Sequence, residues 1–174
     1  MNHAARQLHS PVLSWACVIL VLLGLRAMGL GAQTTGVVPK ELNGEWVLRS
    51  YYTTPNVWGI SRKQAHSLLG SRLVYRNGTL NACKQQITIQ KVEQREVSST
   101  QFLVDSNVRF EHVGIVGASI REVILNRHEG GGNCFETYAL PGENVYLKGP
   151  NELLVEFEGV YFRATRTSAA NGPK

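Results

Sequence analysis

Gly44-Glu45-Trp46-Val47-Leu48-Arg49-Ser50-Tyr51-Tyr52 is the stretch on which the fold turns. Trp46, Leu48, Ser50 and Tyr52 fall on one side; Val47, Arg49 and Tyr51 fall on the other. A period of two in aromatic and β-branched residues is a strand signal. Pro55-Asn56 stops it, and Ser61 then opens the one helix that the sequence predicts, over 61–69. Ser61 is placed to cap, with Gln64 as its partner in a capping box. Ala65, Leu68 and Leu69 make a narrow apolar stripe, and Gly70 is a suitable stop. A helix of this length is not stable alone, so it must lean on the sheet.

From Arg72 onward the reading is β almost throughout. Leu73-Val74-Tyr75 and Thr79-Leu80 flank Asn77-Gly78, the strongest short hairpin signal. Alternation follows around Ile87 to Val92. A mixed stretch over 102–110 is broken by Asp105-Ser106-Asn107. Strands are expected at 120–125, 134–140, 145–148, 153–157 and 160–165, divided by Gly130-Gly131-Gly132-Asn133, Pro141-Gly142, Gly149-Pro150-Asn151 and Glu158-Gly159. Short strands at such spacing, each with one polar face, predict an all-β, antiparallel up-and-down eight-stranded barrel with one short helix.

Upstream, residues 12–25 are almost unbroken apolar sequence, preceded by Arg6 and followed by Arg26, Ala27, Gly29, Gly31 and Ala32. This is the order of a secretory signal peptide. Its core falls short of the roughly 20 residues that a bilayer span requires. The expected organisation is a signal peptide over 1–32, an N-terminal arm over 33–40, a barrel over 41–167 and a frayed tail over 168–174. Cleavage is placed near Ala32, or alternatively after Gly29. The expected location is secreted or periplasmic, with no stable membrane span after processing.

Removal of the leader takes Cys17 with it and leaves Cys83 and Cys134. Two cysteines in an oxidising compartment are expected to pair, and no Cys-x-x-Cys points to redox chemistry. Closing that loop of about 50 residues is worth up to roughly 4 kcal/mol of chain entropy. The formal charge of +5 falls by two when Arg6 and Arg26 leave. The remaining cations (Arg49, Arg62, Lys63, Arg72, Arg76 and others) are scattered, which argues against a nucleic-acid partner.

Gly44-x-Trp46 at the mouth of the first strand, with Arg163 and Arg166 near the end of the last, is the most specific pattern. First and last strands of an up-and-down barrel are neighbours, and a guanidinium can lie flat on an indole face. Here the sequence resembles the lipocalin and wider calycin superfamily, marked by Gly-x-Trp on the first strand and a basic residue on the last. A second likeness runs through Gly44-x-Trp46, Ser61 to Ala65, Leu69-Gly70, Cys83, Gly114-Ile115, Cys134 and Glu158-Gly159-Val160-Tyr161-Phe162. It is to a group of secreted bacterial proteins of unknown function. The resemblance implies fold and compartment. The short polar stretch over 167–174 departs from the longer C-terminal helix of ligand-binding lipocalins, which argues against a large open cup.

His66, His112 and His128 lack zinc-like spacing, so no metal or other cofactor is expected. Asn77-Gly78-Thr79 fits both a glycan acceptor and a turn. No nucleophile elbow, phosphate loop or nucleotide fingerprint is present. Ser98-Ser99-Thr100 reads as a polar loop, and Glu152, Glu156 and Glu158 read as an outward strand face. The chain is therefore expected not to be an enzyme. The expected function is to bind a small apolar ligand at the barrel mouth, with Trp58, Tyr52 and Tyr75 as binding residues. The alternative is a barrel that binds a secreted protein through its free arm, resembling the bacterial metalloprotease inhibitors.

Overall fold

The computed structural model describes residues 34–35, 37–56, 58–127 and 134–167. The expected leader and tail, and the glycine run at 130–132, lie outside them. Eight strands form the ring: β1 (Gly44–Tyr51), β2 (Arg72–Arg76), β3 (Thr79–Ala82), β4 (Gln85–Ser98), β5 (Ser119–Arg127), β6 (Asn144–Gly149), β7 (Glu152–Phe157) and β8 (Val160–Arg166), and a two-residue strand at Thr34–Thr35 joins the sheet beside β4. Each of the eight pairs antiparallel with its sequence neighbours. The ring closes where β1 meets β8, from Trp46↔Arg166 to Tyr51↔Phe162. The architecture is the expected all-β up-and-down barrel.

Local sequence explains the connections. Asn77 (φ 51°) and Gly78 (φ 72°) both take left-handed backbone, the requirement of the tight hairpin turn that fits strand twist. Helix α1 (Arg62–Ser67) starts at Ser61, whose Oγ accepts from the Gln64 amide at 3.2 Å, while Gln64 Oε1 accepts from the Ser61 amide at 2.8 Å.

Two expectations are corrected. The stretch over 102–110 is not a broken strand: helix α2 (Ser99–Ser106) occupies it, followed by a 3-10 turn over Phe110–Val113. Ser98 Oγ caps α2 by accepting from the Gln101 amide, and Asn107 ends it in left-handed backbone at φ 55°. The helix wins because its one buried anchor, Phe102, is enough to hold it to the barrel wall. Nor is 134–140 a strand. Phe135 (φ 55°) and Glu136 (φ 63°) turn the chain immediately after Cys134, a conformation incompatible with a ladder.

Inward-facing positions fill the barrel. Trp46, Tyr75, Phe157, Phe162, Leu48 and Leu153 are all at or below 1% exposure. They form one cluster with residues of α1 and with Val38 and Leu42 upstream of β1. A second cluster lies on the outer wall, where α2 and the 3-10 turn cover Tyr146, Leu154 and Tyr161. Phe102 sits with ring centroids 5.1 Å from Phe110, 5.3 Å from Tyr146 and 5.5 Å from Tyr161. Among the described residues, no helix is long and apolar enough to cross a membrane.

Candidate functional site

The two ends of the barrel differ. At the end where β1 begins, the Arg166 guanidinium carbon lies 4.1 Å from the centre of the Trp46 indole. The same guanidinium donates to the carbonyls of Asn43, Glu41 and Pro150. Trp46 Nε1 donates to Leu42 O at 2.8 Å. This arrangement explains Gly44. Its φ is +122°, and a Cβ there would come within 2.8 Å of Arg166 Nη1. Arg163 takes no part in the closure and pairs instead with Glu152 at 2.8 Å. Residues upstream of β1 are fastened to the barrel too. Val38 and Leu42 are buried, and Thr34 and Thr35 pair with Val92 and Lys91 of β4.

The opposite end carries a cleft of about 660 Å³, a size usual for small-molecule sites. Leu68, Phe135 and the disulfide make its apolar floor; Ser67, Ser71, Arg72, Lys84 and Gln85 complete it. Of the described lining residues, the charged ones are both cations. The Cys83–Cys134 disulfide, with Cα atoms 5.9 Å apart, joins two turns that are remote in sequence. Cys83 (φ 49°) and Lys84 (φ 62°) form one turn, Phe135 and Glu136 the other. Cys83 and Lys84 are the two central residues of the β3–β4 hairpin, which demands left-handed backbone, whereas Phe135 and Glu136 hold it in a turn outside any ladder, at a cost of order 1 kcal/mol each.

Beneath the cleft, the loop before β6 is locked to the interior. Tyr75 Oη donates to Gly142 O at 2.9 Å. A Cβ on Gly142 (φ +101°) would meet that hydroxyl at 2.6 Å, so glycine is required. Burial, with the nearby charge of Glu143, pushes the Tyr75 hydroxyl well above its ordinary pKa. Burial also raises the Glu143 carboxyl, although Arg127, 3.3 Å away, opposes it.

The three aromatic residues expected to bind ligand are not brought together, and none of them lines this cleft. Tyr75 is wholly inside the barrel. Trp58 packs edge-on to Tyr51 at 5.7 Å and donates to Thr54 Oγ1 at 3.3 Å. Tyr52 packs against the outer-wall cluster, under Lys148 Nζ. The cleft residues escaped sequence reading because the disulfide assembles them from segments 51 residues apart. Among the described residues no cluster of three or more histidine, cysteine or carboxylate side chains could hold a metal ion.

In comparison with known proteins, the chain matches no protein family, no curated protein and no solved structure.

Proposed function

We propose that the chain is an exported, non-enzymatic binding barrel of calycin type, and that its ligand sits in the cleft beside the disulfide. The observation that carries this reading is the cleft's composition: apolar Leu68 and Phe135 beside Lys84 and Arg72, the latter already paired with Glu45 at 2.9 Å, so that Lys84 is the cation offered to a ligand. Such a site suits a small apolar body with an acidic head. The interior is not the binding place, since its own side chains occupy it. Calycin affiliation is supported by the contact between Trp46 and Arg166, and export by the disulfide together with the leader-like sequence. The arm-based inhibitor reading draws no support from the burial of Val38 and Leu42.

The test is titration with octanoate and with octanol, followed by NMR. Octanoate is expected to bind saturably, shifting the amides of Leu68 and Phe135, and more tightly than octanol. Lys84→Glu should weaken octanoate at least fivefold. Absence of saturable shifts at these amides, or equal binding by the Lys84→Glu variant, defeats the reading.

A further inference from the structure

A second cleft, of about 540 Å³, opens in the outer wall at the edge of α2. Antiparallel register builds it in two rows. Arg95, Glu122 and Tyr146 stand side by side on β4, β5 and β6. Asn144, Glu156 and Tyr161 do so on β6, β7 and β8. Asp105 and Ser106 of α2 and Asn56 form the rest of the rim. Glu122 is only 2% exposed and is fully committed: Arg95 Nε donates to it, and Tyr146 bonds to it. Arg95 in turn reaches Asp105 at 3.2 Å. Among the described lining residues, the one cation is thus spent on two of the three carboxylates.

What remains is a surplus of acceptors. The Oδ1 atom of Asn144 is shielded from solvent and accepts no hydrogen bond among the described residues. Asn144 turns its amide toward Glu156 instead. Glu156 receives the Gly159 amide at 2.8 Å but has no cation paired with it among the described residues. Even a half-buried carboxylate without a counter-charge is costly, and an orphaned amide oxygen adds to that cost.

We infer that this outer-wall cleft is a binding site for a small primary-ammonium ligand, whose charge is taken by Glu156. It is separate from the cleft at the disulfide. Glu156 is faced by Asn144 from β6, Glu122 from β5, Tyr161 from β8 and Glu158 from the following turn, with Arg95 of β4 and Asp105 of α2 further along the lining. Burial raises its pKa above the ordinary carboxylate range, and the charges of Glu158 and Glu122 add to the effect. Ammonium binding favours the ionised form of Glu156, so affinity rises with pH through the range in which this raised carboxyl titrates.

The experiment uses 1,4-diaminobutane as probe and 1,4-butanediol as its neutral match, titrated calorimetrically at pH 5 and pH 8 with NMR mapping of the amides. The diamine is expected to bind at least fivefold more tightly at pH 8, shifting Asn144 and Tyr161. Glu156→Gln should weaken it tenfold or more and abolish the pH dependence. Asp105→Asn, at an exposed position whose charge is shared with Arg95, should weaken it two- to threefold. Saturable binding by the diol at equal strength, diamine binding indifferent to Glu156→Gln, or no saturable binding of the diamine overturns the inference.

Discussion

The barrel's inside and its outer wall under α2 are both packed, but with opposite chemistry. Inside, aliphatic and aromatic side chains surround the buried hydroxyl of Tyr75, tied to Gly142. On the outer wall, the aromatic cluster of Phe102, Tyr146 and Tyr161 borders a set of ionisable groups, Arg95, Glu122 and Glu156. The difference separates what holds the fold from what is free to recognise another molecule. A filled interior contributes stability through apolar area removed from water. Charged groups withdrawn from water contribute little net stability and keep directional bonding capacity.

The comparison breaks most visibly if the interior is not what stabilises the chain. Phe162→Ala is expected to cost about 3–5 kcal/mol in urea unfolding; a cost below about 1 kcal/mol would mean that the inside tolerates a void. Next in size, the paired change Cys83→Ser with Cys134→Ser should remove about 2–4 kcal/mol, read by the same assay with the slope m compared. Arg166→Ala gives up the indole contact and three carbonyl partners and should cost about 1–2 kcal/mol. Arg163→Ala, on an exposed ion pair, should cost less than about 1 kcal/mol.

The smallest effect sharpens the contrast through pH. Burial holds the Glu156 and Glu143 carboxyls above their ordinary pKa. The native state thus keeps protons there that the unfolded chain has already released. Stability contributed by these groups is full below the ordinary carboxylate range and is lost as pH rises through their raised values. Glu156→Gln should flatten that decline, seen as a smaller drop in Tm between pH 4.5 and pH 8 than the parent shows. An unchanged drop would remove Glu156 from the account.

Much of the frame was legible because it is local. Asn77-Gly78 dictates its turn, Ser61-x-x-Gln64 its helix start, and Gly44-x-Trp46 with Arg166 the meeting of the first and last strands. Helix α2 had the same signature in Ser98-x-x-Gln101, but its exposed Leu103 and Val104 blur the apolar periodicity that would have confirmed it. Both clefts were illegible for another reason. Glu122 and Glu156 alternate with apolar neighbours as any solvated strand face does, and only the covering helix distinguishes them. Arg72, Lys84 and Phe135 become one site only after the disulfide forms.

One consequence follows from the pairing of Trp46 with Arg166. The beginning and the end of the barrel lie side by side, while Asn77-Gly78 is an exposed hairpin between β2 and β3. A chain rewired so that a short linker runs from Thr167 back to Val37, with new termini cut at Asn77-Gly78, retains every pairing among the eight strands of the ring and gives up only that of Thr34 and Thr35 with β4. The order in which the ring is synthesised is thereby separable from the ring itself.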